Sequence, residues 1–172
     1  MICCEIDKCV GCRMCEVICA SVHFGAVSPG LSRIRVAKLE ETGVETAVSC
    51  VSCRERPCLE CPTGALSVGD CGQIAIEEAL CGGCRECVEA CPIGAVGFYG
   101  NLPLFCDLCE GASSCVTVCP SGALSFRPEY RDISLESFSR SEGNPAQKRA
   151  AYTRILGEPM RESWRNGARV KP

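Results

Sequence analysis

Sixteen of the nineteen cysteines in this 172-residue chain fall into four dense runs, and those runs constrain everything else. Run one is Cys9, Cys12, Cys15 and Cys19, with spacing C-x2-C-x2-C-x3-C. Run two, Cys50, Cys53, Cys58 and Cys61, is spaced x2, x4, x2. Run three, Cys81, Cys84, Cys87 and Cys91, repeats the first spacing, and run four, Cys106, Cys109, Cys115 and Cys119, is spaced x2, x5, x3. About 11% cysteine marks either a disulfide scaffold or a metal protein. No stretch reads as a secretory signal or a membrane span, so a reducing, cytoplasmic compartment is expected, with thiols free to bind metal. Aromatic residues make up only 5% of the chain, too few to fill an ordinary interior. Metal centres are the expected filling.

Two kinds of metal compete for C-x2-C pairs. Structural zinc normally separates two such pairs by a long spacer. Runs one and three instead place a third cysteine at +6 and a fourth at +10, and Pro92 follows the last cysteine of run three. This resembles the bacterial ferredoxin signature, in which three thiolates hold one [4Fe-4S] cube and the fourth reaches a second cube. The spacing suits that task. Three closely spaced cysteines curl a loop whose N–H groups point inward, and a short helix carries the fourth away until proline ends it. Runs two and four are less regular but are read the same way. A zinc-binding scaffold is the remote alternative.

The repeat extends past the cysteines. CPTGALSV from Cys61, CPIGAVGF from Cys91 and CPSGALSF from Cys119 share one plan, whereas Ala20 follows Cys19 in run one. The glycine suits positive φ, and the apolar alternation after it reads as a strand. Residues 65–81 read as a hairpin with Gly69-Asp70-Cys71-Gly72 at its tip. Nineteen residues separate Cys61 from Cys81, against thirty between Cys19 and Cys50 and fourteen between Cys91 and Cys106. Runs two and three therefore pair best, leaving one and four to pair around them. Pairing one with two and three with four stays open.

The nesting resembles the four-cluster electron-transfer subunits of molybdenum and tungsten oxidoreductases, of the formate hydrogenlyase and DMSO reductase beta-subunit type. That resemblance covers residues 1 to about 127 and rests on the sixteen motif cysteines. It implies an α+β fold of two nested ferredoxin-like 2[4Fe-4S] modules with a C-terminal helical extension. Residues 1–43 with 101–127 would form the outer module, 44–100 the inner one and 128–172 a basic docking arm. By position, one cluster would take Cys9, Cys12, Cys15 and Cys119, and a second Cys19, Cys106, Cys109 and Cys115. The third would take Cys50, Cys53, Cys58 and Cys91, and the fourth Cys61, Cys81, Cys84 and Cys87. Run two departs from the family in having only Leu59 and Glu60 before its last cysteine. One missing helical residue turns a side chain by about 100°, so Cys71 is noted as a spare ligand. Cys3 and Cys4 read as small apolar strand residues, and His23 as a surface residue.

The rest of the chain offers no nucleotide fingerprint and no nucleophilic triad. With all motif cysteines committed as ligands, no iron is left open, so a wire is expected and not an enzyme. A compact chain of this length is on the order of 40 Å across, which leaves four clusters on the order of 10 Å apart. Residues 1–125 carry eight Lys/Arg against fifteen Asp/Glu, and 126–172 carry ten against six. Four clusters would take the net charge from −3 to roughly −11, which asks for inward N–H dipoles and nearby cations. Arg13, Arg54, Arg56 and Arg85 sit within the loops as candidates. The acidic body argues against nucleic acid. In the tail, Asn144, Pro145 and Gly157 read as cap, first residue and stop of a helix over 145–156, with Ala151, Tyr152 and Ile155 as apolar contacts. Met160 and Trp164 would follow in a second short segment that anchors a partner.

The expected role is an electron-transfer polyferredoxin subunit of an anaerobic hetero-oligomer with no direct membrane insertion. Its catalytic partner would be a tungsten or molybdenum pterin enzyme, with a tungsten aldehyde oxidoreductase-like or benzoyl-CoA reductase complex favoured. A second redox subunit, or a soluble ferredoxin or flavoprotein, would stand at the other end. Formate dehydrogenase, hydrogenase and carbon monoxide dehydrogenase complexes are the alternatives.

Overall fold

In the computed structural model, which describes residues 1–127, 135–138 and 142–166, the secondary structure is parcelled out between the cysteine runs. Short helices follow three of the runs: α1 (Met14–Phe24) in run one, α2 (Glu86–Ala90) in run three and α3 (Ser114–Thr117) in run four. Their lengths obey the sequence. Proline after the last cysteine stops α2 and α3 within five residues, while Ala20 lets α1 continue for eleven. There Gly25, at φ 63°, closes the helix by donating its N–H to the Ser21 carbonyl.

Eight strands form four antiparallel pairs among the described residues. β1 (Ile2–Cys4) and β8 (Leu124–Phe126) lie 120 positions apart in the chain yet pair Ile2 with Phe126 and Cys4 with Leu124. They bring the start of run one against the end of run four, and α1 packs on α3 beside them. β4 (Leu66–Val68) and β5 (Ile74–Ile76) make the expected hairpin, closed by the Gly69 N–H to the Gln73 carbonyl. Two further hairpins link the runs: β2 (Arg35–Leu39) with β3 (Val44–Val48), and β6 (Gly97–Tyr99) with β7 (Leu102–Leu104). The second turns on Gly100 and Asn101, both at positive φ, the conformation a two-residue turn needs.

The interior is small and sulfur-rich. One apolar cluster joins Ile2, Cys15, Cys19, Ile34, Leu108 and Cys115; another gathers Leu66, Ile74, Val96 and Phe105 around Cys50, Cys58, Cys61, Cys87 and Cys91. A third, Val48, Ile93, Leu135 and Phe138, is completed by Tyr152 from the tail, whose ring lies 5.0 Å from Phe138.

The tail differs from expectation in two ways. Asn144 caps as expected, accepting from the N–H groups of Ala146 and Gln147, and Gln147 returns the bond to the Asn144 N–H. The helix it starts, α4, runs Pro145–Arg165, straight through Gly157 and Pro159. Gly157 is therefore no stop. It is buried, and a Cβ there would stand 2.6 Å from Val44 Cγ1, so the glycine lets α4 lie close on β2 and β3. The second correction concerns Ile155, which is 48% exposed and faces away, while Thr153 is fully buried. The side chain of Trp164, and residues 128–134, 139–141 and 167–172 of the expected arm, lie outside the described residues.

Candidate metal centres

Four loops of different length share one backbone rule. The residue before the second cysteine has positive φ in every run: Gly11, Ser52, Gly83 and Leu108. So does the residue two before the third cysteine: Arg13, Arg56, Arg85 and Ser113. Such inversions turn successive N–H groups to one side and make a concave donor surface. The amides of Gly11, Ser52 and Leu108 accordingly point at the sulfurs of Cys9, Cys50 and Cys106, two residues back. Spacing varies between the two inversions and, in run two alone, also before the last cysteine. Arg13, Arg56 and Arg85 thus contribute through their backbones, the Arg56 charge also favours the Cys50 thiolate, and the Arg85 side chain stacks on Phe98 with its guanidinium 4.4 Å from the ring centre.

Each loop borders a small cavity lined by cysteines. Cys9, Cys12, Cys15 and Cys119 line the first, and Cys19, Cys106, Cys109 and Cys115 the second. A third holds Cys50, Cys53, Cys58 and Cys91; a fourth, Cys61, Cys81, Cys84 and Cys87. In each, three thiols come from one run and the fourth from another. Run two makes its fit by replacing the short α-helix with a 3-10 turn, Pro57–Leu59, whose tighter winding brings Cys61 round one residue early. Cys71 is exposed at its hairpin tip, where its N–H donates to Gln73 Oε1, and it lines none of the four.

The cavities also stand in sequence. Thiols close enough to repel one another when ionised link the first to the second (Cys15 and Cys115), the second to the third (Cys106 and Cys50) and the third to the fourth (Cys58 and Cys87). The four sites form a row with an end at each loop-exposed extremity, where Cys12 and Cys84 are exposed.

The donor chemistry fits an iron–sulfur cube. Burial, reinforced by neighbouring thiols, pushes Cys15, Cys58, Cys106 and Cys115 up to about 12 and Cys50 and Cys87 up to about 11. Four such groups ionise together only around a compact cationic core. The Ser113 hydroxyl is buried, has no hydrogen-bond partner among the described residues and borders the second cavity, where it could donate a hydrogen bond to a cluster sulfide. The two exposed turns supply donors of their own. Thr63 hydrogen-bonds Cys61 and holds its thiol below the usual range. Cys119 is lowered too: against the effect of burial, the Leu124 and Ala123 amides and the Ser121 hydroxyl favour its thiolate.

Several residues near the sulfurs carried no sequence signal. His23, read as a surface residue, lies at the end of α1 with Nε2 3.7 Å from Cys109 Sγ and 3.5 Å from Asp107. Burial lowers its pKa, helped by Arg33. Asp107 holds the long loop of run four by accepting the Cys109 N–H at 3.0 Å, and Arg33 pairs with it from the other side. His23, Asp107 and Cys109 could by themselves ligate an ion, but Cys109 already lines the second cavity with three other cysteines. Cys4 is more than a filler, since its sulfur accepts the Ala47 N–H and hydrogen-bonds with Cys9. No helix among the described residues is long and apolar enough to cross a membrane.

Comparison with known proteins agrees with the donor chemistry. Residues 74–96, which hold all four cysteines of run three, match the 4Fe-4S binding domain family. The polyferredoxin-like subunit of the aliphatic sulfonate oxidoreductase of Pyrococcus furiosus is 47% identical over 88 residues, 50% of each chain. The putative electron transport protein YsaA of Escherichia coli is 43% identical over 100 residues, 54% of this chain and 62% of its own. The chain thus spans about half the length of the first of these relatives and somewhat more of the second. Among solved structures, a chain of the BamBC active-site complex of benzoyl coenzyme A reductase with benzoyl-CoA aligns over 73% of this chain and 76% of its own, at 32% identity and a TM-score of 0.43. This protein carries a ferredoxin-type 4Fe-4S binding domain, and its relatives are ferredoxin-type electron-transfer proteins.

Proposed function

We propose that the chain is an electron-transfer subunit that holds four [4Fe-4S] clusters, one in each cysteine-lined cavity, and relays single electrons for a catalytic oxidoreductase. The observation that carries the reading is the sorting of sixteen cysteines into four cavities of four, set in a row. A bound [4Fe-4S] cluster supplies one-electron reduction and reoxidation. The chain's own residues do the rest. Cysteine thiolates complete every iron, so no site is left for substrate. Loop amides and the hydroxyls of Thr63, Ser113 and Ser121 offset the anionic charge. Phe105 and its neighbours keep water from the central sulfurs.

On this reading residues 1–43 with 101–127 serve the first two cavities and residues 44–100 the last two. The partner proposed is a tungsten or molybdenum enzyme in a cytoplasmic hetero-oligomer. Support for an oxidoreductase partner comes from the relative named as a subunit of an aliphatic sulfonate oxidoreductase; the metal is the proposal's own. Docking by the tail would use the outer face of α4, where Ile155 and Leu156 are exposed.

Protein purified without oxygen should be brown, bleach with dithionite and hold about sixteen irons and sixteen sulfides per chain. Colourless protein carrying zinc would end the reading. Cys61→Ser should lower the iron content, and Cys71→Ser should leave it unchanged. Co-purification from native cells with tungsten and molybdenum analysis tests the partner.

A further inference from the structure

The turn after Cys91 is gripped by α4 in a way that neither of its two repeats is gripped. Lys148, buried, donates from Nζ to the Glu89 carbonyl at 2.5 Å, where α2 ends. Arg149 donates from Nη1 to the Gly94 carbonyl at 2.7 Å. Gly94 itself is so close to α4 that a Cβ would stand 2.1 Å from the Pro145 carbonyl oxygen. Two consecutive cations thus hold residues 89–94, with Cys91 between them.

The Gly94 carbonyl and the Ala95 N–H are the two ends of one peptide group. That N–H donates to Cys91 Sγ at 3.2 Å. A guanidinium on the oxygen of a peptide draws electron density toward itself and makes the N–H at the other end a better donor. The charge of Arg149 is therefore delivered to the Cys91 sulfur through four backbone atoms. Burial and neighbouring Arg35 lower the Arg149 pKa, yet a guanidinium stays protonated at neutral pH. Of the other charged groups nearby, Glu16 accepts the Val36 N–H at 2.6 Å, and Arg35 is engaged by the Pro29 and Gly30 carbonyls.

We propose that Arg149 sets the reduction potential of the cluster held by Cys50, Cys53, Cys58 and Cys91, acting through the Gly94–Ala95 peptide, so that α4 is a tuning element of the relay. The proposal rests on the cluster reading above. Reduction adds one electron to that cluster while Arg149 keeps its proton, and a fixed cation near a ligand sulfur favours the more negative, reduced state. Arg149 is a positioning residue and takes no part in the transfer itself.

The test is a potentiometric titration, with dithionite as reductant and EPR detection, of the full chain loaded with clusters without oxygen. Iron analysis of the wild type comes first, and a value far below sixteen overturns the cluster reading and not the tuning. Arg149→Gln is then expected to keep its iron and to move one of the four reductive steps to more negative potential, by about a tenfold change in its equilibrium, or about 59 mV for a one-electron couple. Arg149→Met gives the same reading with a different neutral side chain if the Gln variant does not load. Arg149→Lys, which can still reach the carbonyl, should recover most of the shift. Arg154→Gln, on the exposed face of α4 where it pairs with Glu41, should move nothing. Four unchanged potentials in a loaded neutral variant overturn the proposal. So does an equal shift of all four, or failure of both neutral variants to load while Arg154→Gln loads, since Arg149 would then be a structural support only.

Discussion

Three turns in this chain share the pattern Cys-Pro-x-Gly, and they have met three different fates. At Cys61 and Cys119 the variable residue is Thr63 or Ser121, whose hydroxyl reaches the preceding sulfur at 3.5 and 3.7 Å. At Cys91 it is Ile93, only 1% exposed and packed under Phe138 and Leu135. Nothing lies within 4 Å of a Cβ at Gly64 or Gly122, but at Gly94 the backbone of α4 is in the way. The two outer turns stabilise a thiolate from their own side chains and with help from solvent. The inner turn has given up its hydroxyl for burial and takes its electrostatics from a distant helix. One local fold can thus meet the same charge requirement by a side chain in place or by a cation borrowed through the backbone.

The contrast is sharpest at the glycines. All three have φ between 62° and 66°, so alanine costs each about 1–2 kcal/mol of left-handed strain. Gly94→Ala adds a backbone collision, bringing the expected loss to about 3–4 kcal/mol. On heating the loaded variants, loss of visible absorption should come earliest in Gly94→Ala. Equal losses in all three would break the comparison.

Gly157→Ala tests the seat of α4. Alanine favours a helix by about 1 kcal/mol, yet contact with Val44 should make the change destabilising by about 1–3 kcal/mol. Val44→Ala in the same chain should recover part of it. A smaller effect belongs to Thr63→Ala and Ser121→Ala. Each gives up one long hydroxyl–sulfur bond worth about 1 kcal/mol, and each should lower one potential by less than Arg149→Gln does. Smallest of all is Cys71→Ser, within about 0.5 kcal/mol of the parent in stability.

What the sequence made legible follows from locality. The order of runs, the hairpin at residues 66–76 and the Asn144 cap are written in residues near one another. The arginines in the loops were noticed for their charge, while three of them, Arg13, Arg56 and Arg85, also share a left-handed backbone that spacing does not reveal. Gly157 misled because glycine serves equally as a stop and as a close-contact residue, and only the position of Val44 separates the two. Arg149, Lys148 and Asp107 were illegible for a related reason. Each acts on a segment between 55 and 74 positions away, or on a partner as remote, and a solvated charge looks the same in one dimension.

The two backbone inversions that bracket each loop have a practical outcome for anyone wishing to remodel this scaffold. Between the second and third cysteines the chain runs two, four or five residues, yet in every run the first three cysteines line one cavity. Foreign sequence inserted there would ride on the outside of the molecule as a replaceable label beside a redox centre. A recognition peptide for a chosen electrode or enzyme could be grafted at that point without rewiring the interior.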